Sequence, residues 1–167
     1  MTAQGDPVVD RPLIPAEYGV SKSADDLVAW SHVERRLIEE RVYWVATADA
    51  DGQPRVRPLD GIYVDGVIYV GGSPKTQWVR DLTANPRVSV HLDGVADVVI
   101  IEGDAELMMG ADAELAEKLA AASNAKFPEY KMTADSYGGP GPFAIRPRKV
   151  VAWSDFATDP TRFRFNR

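Results

Sequence analysis

Cysteine is absent from the 167 residues, and histidine occurs only as His32 and His91. The first absence excludes disulfides, thiolate metal sites and a cysteine nucleophile, and it fits a reducing compartment. The second argues against a histidine-rich metal centre, so no metal site is expected. Basic residues are the minority charge, 19 Lys and Arg against 25 Asp and Glu, for a formal net charge of −6. Nucleic-acid binding needs a basic stripe that displaces counterions, so no nucleic-acid partner is expected. Long apolar runs are also missing: none approaches the ~18 residues of a membrane span. The opening MTAQGDPVVDRPLIP has neither the basic start nor the apolar centre of a secretory leader. The expectation is a cytoplasmic protein without membrane contact.

Motifs for self-contained catalysis are missing as well. There is no Walker loop, no GxGxxG opening a helix after a strand, no HExxH and no GxSxG elbow, and no internal repeat. Acid–base or nucleophilic chemistry is not encoded recognisably, and no catalytic residue is assigned. That leaves a borrowed reagent, for which the protein supplies pocket, orientation and electrostatics.

What is there is β-rich. With 45% hydrophobic residues the chain suits one compact domain with a sizeable core. Residues 1–22 are rich in Pro, Gly and Asp and read as an N-terminal arm or tail, with Leu13, Ile14, Tyr18 and Val20 as its anchors. Residues 23–167 read as the domain itself. Ser23 followed by Asp26 looks like a helix start, and Leu27, Trp30, Leu37 and Ile38 supply the buried face. His32 in that helix reads as solvated or capping. From Val42 to Glu106 short apolar runs alternate with turn signals. Asp65-Gly66 between two such runs is a type I′ hairpin signal. A short helix from about Thr76 is stopped by Asn85-Pro86, with Val79 and Leu82 on its buried face. The strands RVSVHL and DVVIIEGDAEL follow, in which His91 reads as structural or interfacial and Glu102 as a barrel residue with a local partner. Ala111 to Lys126 is a further amphipathic helix with Leu115 and Leu119 at helical spacing. Phe127 to Pro142 is a Pro- and Gly-rich loop, either a cover over a substrate pocket or a plain excursion. FAIRPRKVVAW is a last long strand that closes the barrel.

The candidate site lies between the second and third strands and the short helix. Arg55 and Arg57 alternate with Val56, so both point away from the face carrying Val56, and a planar guanidinium there could grip a phosphate or carboxylate. Pro58 would interrupt a central ladder, which places this part of the strand at an edge or bulge. Gly71 and Gly72 allow close backbone approach. Ser73, Lys75 and Thr76 then offer two hydroxyls and an ammonium beside a helix N-terminus, an arrangement that favours an anion. Trp78 either packs in the core or stacks on a ring, and Arg80 shapes the pocket.

Four segments carry a resemblance. They are Ala46-Thr47, Asp51-Gly52-x-Pro54-x-Val56-Arg57-Pro58, Arg80-Asp81-Leu82-x-x-Asn85-Pro86-Arg87-Val88 and Ile101-Glu102-Gly103-x-Ala105. In order and spacing they resemble the split β-barrel flavin and deazaflavin proteins related to pyridoxamine 5′-phosphate oxidase. The likeness covers about Val42 to Glu106, with an echo in residues 145–150 and 161–165. It implies a mainly β fold with flanking helices (α+β), an FMN-binding-like Greek-key split barrel. It also implies a homodimer with cofactor sites at the interface, and a small-molecule substrate. The actinobacterial deazaflavin-dependent branch implies hydride transfer between reduced coenzyme F420 and a small unsaturated or carbonyl compound. The alternatives are an FMN-dependent oxidase or reductase and a non-catalytic flavin-, F420- or haem-binding protein. On this resemblance Arg57, Pro58, Gly71, Gly72, Ser73, Lys75, Thr76, Gln77, Trp78 and Arg80 form the cofactor site. One departure stands out: Gln77 and Trp78 occupy the positions of the family's basic pair, with Thr76 in place of its serine. Trp153 and the Arg/Phe tail resemble the segment that reaches towards the other subunit's cofactor.

Overall fold

The computed structural model describes residues 5–166, so the first four residues of the expected arm lie outside the described residues. Eight strands and three α-helices follow in chain order: β1 (Val8–Asp10), α1 (Trp30–Glu39), β2 (Val42–Ala48), β3 (Pro54–Val64), β4 (Val67–Val70), α2 (Gln77–Ala84), β5 (Arg87–Leu92), β6 (Val98–Leu107), α3 (Ala113–Lys126), β7 (Phe143–Trp153) and β8 (Thr161–Arg164). The strands are all antiparallel, in the order β1-β8-β7-β4-β3-β2-β5-β6, and β6 pairs back onto β7. Six strands therefore close into a barrel, and β8 and β1 extend from it. This is the mainly β, helix-flanked split barrel that the sequence pattern implies.

Local chemistry accounts for the strand ends. At the β3–β4 turn Asp65 has φ 50° and Gly66 φ 84°, the paired positive angles of a type I′ hairpin. β2 alternates half-buried and buried residues along its length. Its buried set, Tyr43, Val45 and Thr47, faces the barrel interior with Ile68, Val70, Val90, Ile101 and Ile145. β3 changes partner along its length: residues 54–60 pair with β2 alone and residues 61–64 with β4. Pro58 sits in that one-sided stretch, so its missing N–H breaks no second ladder.

Residues 61–64 and 67–70 are buried on both faces. One face joins the barrel core. The other, with Ile62, Val64 and Tyr69, lies under α3 and its Leu119, and under Phe127 and Tyr137 beyond it. α3 starts where Asp112 accepts a hydrogen bond from Leu115 N, 2.9 Å away, a side-chain cap.

Two expectations need correction. The first helix does not start at Ser23: the Ser23 hydroxyl is taken up locally, accepting from Asp25 N at 3.1 Å, and α1 begins seven residues later with no side-chain cap. Its buried residues are Val33 and Leu37, while Ile38 is 56% exposed. The arm is held only in part by the anchors expected, of which Ile14 and Val20 are half-buried. Leu13 and Tyr18 are exposed, and β1 is fixed instead by pairing with β8, by Asp10 to Arg162 at 2.7 Å and by Arg11 to the Ser23 carbonyl at 2.9 Å. The tail folds back onto its own barrel: Phe163 is fully buried, and Trp30 packs edge-on against both Phe163 and Phe165 at 5.1 Å.

One corner carries an unforeseen device. The Lys126 ammonium, at the end of α3, donates to the carbonyls of Leu37 (2.9 Å), Glu40 (2.7 Å) and Gly61 (3.0 Å) and reaches the Tyr43 hydroxyl at 3.1 Å. It thus ties the Leu37 and Glu40 carbonyls at the C-terminus of α1, where the helix dipole also favours a cation, to the Gly61 carbonyl of β3.

Candidate functional site

α2 is seated by apolar contacts and one buried carboxylate. Trp78, Val79 and Leu82 are buried at its underside, and Trp78 lies 5.9 Å from Phe143. A Cβ on Gly72 would fall 2.1 Å from Trp78 Cζ2. Only glycine fits there, and the reason is the tryptophan rather than a ligand. Gly71 meets nothing within 4 Å and faces open space. The Trp78 ring is 3% exposed, so core packing claims it and no face is offered to a ring ligand.

Asp81 is 1% exposed. It accepts from Thr47 Oγ1 (2.9 Å), Gln77 Nε2 (2.8 Å) and Arg55 Nη1 (3.2 Å). Burial disfavours its charge, but the hydrogen bonds from Gln77 and Thr47 and the charge of Arg55 together outweigh burial and hold the carboxyl below its ordinary range. Its importance was not read from the sequence, because its partners come from β2 and β3. Asp81→Ala strands the Thr47 hydroxyl and leaves Arg55 with Asp49 alone, and a fall in melting temperature of about 5 °C or more is expected. A thermal unfolding curve that superposes on the wild type would refute the bridging role.

This network also explains the departure at residue 77. The Gln77 amide is used at both ends: its nitrogen goes to Asp81, and its oxygen accepts from Arg80 Nη2 at 2.7 Å. Arg80 Nη1 donates in turn to the Lys75 carbonyl at 2.8 Å. The Thr76 hydroxyl closes the preceding turn, donating to the Ser73 carbonyl at 2.7 Å, and the Ser73 hydroxyl accepts from Lys75 N at 3.3 Å. The structure therefore brings Ser73, Lys75, Thr76, Gln77 and Arg80 into one small cluster at the start of α2. Among them the Lys75 ammonium has no protein partner among the described residues.

On β3, Arg55 and Arg57 pair in register with Thr47 and Val45 and share their inward face, as the alternation requires. Val56 and Pro58 lie on the opposite, exposed face, with Val56 56% exposed. Pro58 is thus separated from Arg57 by the thickness of the strand. The two arginines have different fates. Arg55 is saturated by Asp49 at 3.0 Å and by Asp81. Arg57 has no anionic partner among the described residues, and its Nε is buried without a hydrogen bond. A buried guanidinium nitrogen left open is costly unless something else fills it.

Gly71 and Gly72 line a cleft of about 480 Å³ on the outer side of β3 and β4. Its opposite wall is the segment from Phe127 to Pro142, which makes two short 3-10 turns, Pro128–Tyr130 and Ala134–Tyr137. The loop is a wall of the pocket rather than a plain excursion. Tyr130 donates a short hydrogen bond to Asp60 Oδ2 and ties this wall to β3. That bond pushes the Tyr130 phenol above its ordinary value. Neither histidine lines the cleft. His32 pairs with Asp97 at 2.8 Å, and His91 stacks on Trp44, with ring centroids 6.0 Å apart, on the outer sheet face. Among the described residues no group of acidic or histidine side chains is arranged to hold a metal ion, and no helix is long and apolar enough to cross a membrane.

The barrel and this layout meet the known proteins at one place. A family model described as pyridoxamine 5′-phosphate oxidase matches residues 30–154, and the chain belongs to that family. Among solved structures it is similar to an FAD-binding protein from Mesorhizobium loti, at 24% identity over 84% of this chain and 96% of that one, with a TM-score of 0.58. It is also similar to the haem storage protein HutZ from Vibrio cholerae (20% identity, 70% and 88% covered, TM-score 0.56). An F420 reductase is a third (18% identity, 70% and 94% covered, TM-score 0.53). At these identities the likeness is one of fold. No curated protein matches the chain.

Proposed function

We propose that this chain is a cofactor-dependent oxidoreductase that binds the phosphate-bearing part of a flavin-type cofactor, coenzyme F420 first and FMN as the alternative. The observation that carries the reading is Arg57, whose buried Nε lacks a partner while Arg55, two residues away on the same face, is fully paired. Arg57 and the unpaired Lys75 are the cations that hold the phosphate, with the Ser73 hydroxyl beside them. A planar fork and a compact ammonium suit such an anion. Gly71 and Gly72 carry the backbone from the cleft into this cluster within a few residues, so a ligand can span both. When bound, a reduced deazaflavin supplies a hydride to an unsaturated or carbonyl compound. The chain's own contribution is to grip the phosphate, to seat the substrate in the cleft and to exclude water with the wall from Phe127 to Pro142.

A second copy of the chain belongs to this reading. The outer face of β2, β3, β5 and β6 presents Val56, Pro58, His91 and Ile100 exposed around a half-buried Trp44, and a sheet face of that kind suits a homodimer. A cytoplasmic setting fits a chain without cysteine.

A second reading, a non-catalytic binder, is favoured by residues 77 and 78. The family's basic pair is replaced by an amide engaged at both ends and an indole in the core, which weakens the phosphate grip. Single-turnover mixing separates the two. With protein in excess, reoxidation of reduced F420 by cyclohexenone is expected to run at least about tenfold faster than without protein. Lys75→Ala is expected to weaken cofactor binding about tenfold, the worth of one charge-assisted hydrogen bond, without shifting the melting temperature. Tight binding with no acceleration over a panel of enones, aldehydes and nitro compounds would make the chain a binder.

A further inference from the structure

The cleft carries its own charge signature, independent of the phosphate cluster. Among the described residues no Lys, Arg or His side chain lines it, and the one formal charge in its lining is the Asp60 carboxylate. Of the cations around it, Arg41 pairs with Glu129 at 2.7 Å and donates to the Lys126 carbonyl, the Lys126 ammonium is enclosed by oxygens of the α1 corner, and Arg146, whose charge reaches the Tyr69 phenol, and Lys131, between Tyr130 and Met132, stand outside the lining. Asp60 spends one oxygen on Tyr130, and its other oxygen has no partner among the described residues. Tyr130 stands against it, and Tyr69 and Tyr137 line the same cleft. Aromatic faces next to an open carboxylate attract an organic cation and offer nothing to an anion. The volume falls in the range of pockets that take small organic ligands.

We propose that the cleft selects a planar, amine-bearing unsaturated compound, with Asp60 accepting from the ammonium group and the tyrosine rings flanking it. This names the substrate class for the cleft and rests on the reading of that cleft as the substrate side of an oxidoreductase site. Carboxylates and phosphates are turned away by the same carboxylate. Asp60 is therefore a specificity-determining residue, and it lies outside the cluster at α2 that grips the cofactor.

Calorimetric titration of the full chain, without cofactor, with tryptamine, its neutral alcohol analogue tryptophol and indoleacetate tests this with one ring system in three charge states. Tryptamine is expected to bind at least about tenfold more tightly than indoleacetate at low salt, with tryptophol between them. Asp60→Asn is expected to reduce that ratio to about twofold, and Asp60→Lys to reverse it. Asp60 is exposed, so both variants keep the barrel, and Tyr130→Phe, which cuts the tie to the wall but keeps the carboxylate, is expected to preserve the ratio. Equal binding of the three probes, tighter binding of indoleacetate, no binding by any of them, or a ratio unchanged in Asp60→Asn would overturn the inference. Because no cofactor is present, a protein that fails to bind F420 but keeps the amine preference defeats the oxidoreductase reading alone. One that binds F420 without the preference defeats this inference alone.

Discussion

Trp78→Ala is expected to lower stability by about 3–5 kcal/mol, the usual range for truncating a buried tryptophan. At roughly 2–4 °C per kcal/mol for a chain of this size, the melting temperature falls by about 10 °C. The size of the effect follows from what the ring holds. α2 has only eight residues, too few to be stable alone, so its docking depends on Trp78, Val79 and Leu82. The indole fills the space that glycine leaves at residue 72 and meets Phe143 at the start of β7. Removing it frees the segment that carries Ser73, Lys75, Thr76 and Arg80, so cofactor binding should fall with stability. Trp78→Phe keeps part of the contact and should sit between the two. Denaturant unfolding is the check; a loss under about 1 kcal/mol would mean that α2 is seated by something else.

Lys126→Met is expected to cost about 2–3 kcal/mol, because it removes the donor to three backbone carbonyls and the Tyr43 hydroxyl at once. The methylene stem is largely retained in methionine, so the loss reads the amino group's hydrogen bonds rather than the packing. Its pH dependence has a defined sign. Burial lowers the Lys126 pKa from 10.5 to about 8, with Glu40 opposing the shift. Between those values the unfolded chain holds a proton that the folded chain has released. Stability then rises with pH across that window, and below about 8 both states are protonated and the pH term is flat. The wild type's margin over Lys126→Met should therefore grow from pH 8 towards pH 10. A margin that shrinks over that interval would show that the four oxygens bind the ammonium more strongly than burial penalises it.

The legible parts of this fold were those decided by neighbours in sequence. Asp65-Gly66 specifies its own turn through two positive φ angles, and Asn85-Pro86 ends α2 by removing a donor. The alternation of Arg55, Val56 and Arg57 placed both arginines on one face because strand geometry leaves no other choice. The parts that escaped are decided across the barrel. Ser23 offers a good helix cap, but its hydroxyl finds Asp25 first, and packing of Val33 and Leu37 sets where α1 runs. Gly72 reads as a ligand approach until Trp78 is seen beneath it. Asp81 looks like an ordinary helix carboxylate, yet its partners Thr47 and Arg55 lie 34 and 26 residues away. The Pro- and Gly-rich composition of residues 127–142 suggests a pocket cover, but Asp60 and Tyr130 are 70 residues apart, so no local pattern could announce that this loop is tied to β3.

The same long-range contacts separate Arg55 from Arg57, which local sequence treats alike. The central claim is that the second of them is kept open for a ligand's phosphate. Fluorescence-quenching titrations of F420 and FMN against the wild type and Arg57→Met, with melting curves on both proteins, test it directly. Micromolar binding of one cofactor, weakened tenfold or more in the variant while the melting temperature holds or rises, is the expected result. Unchanged affinity in Arg57→Met, or no binding of either cofactor by the wild type, would contradict it.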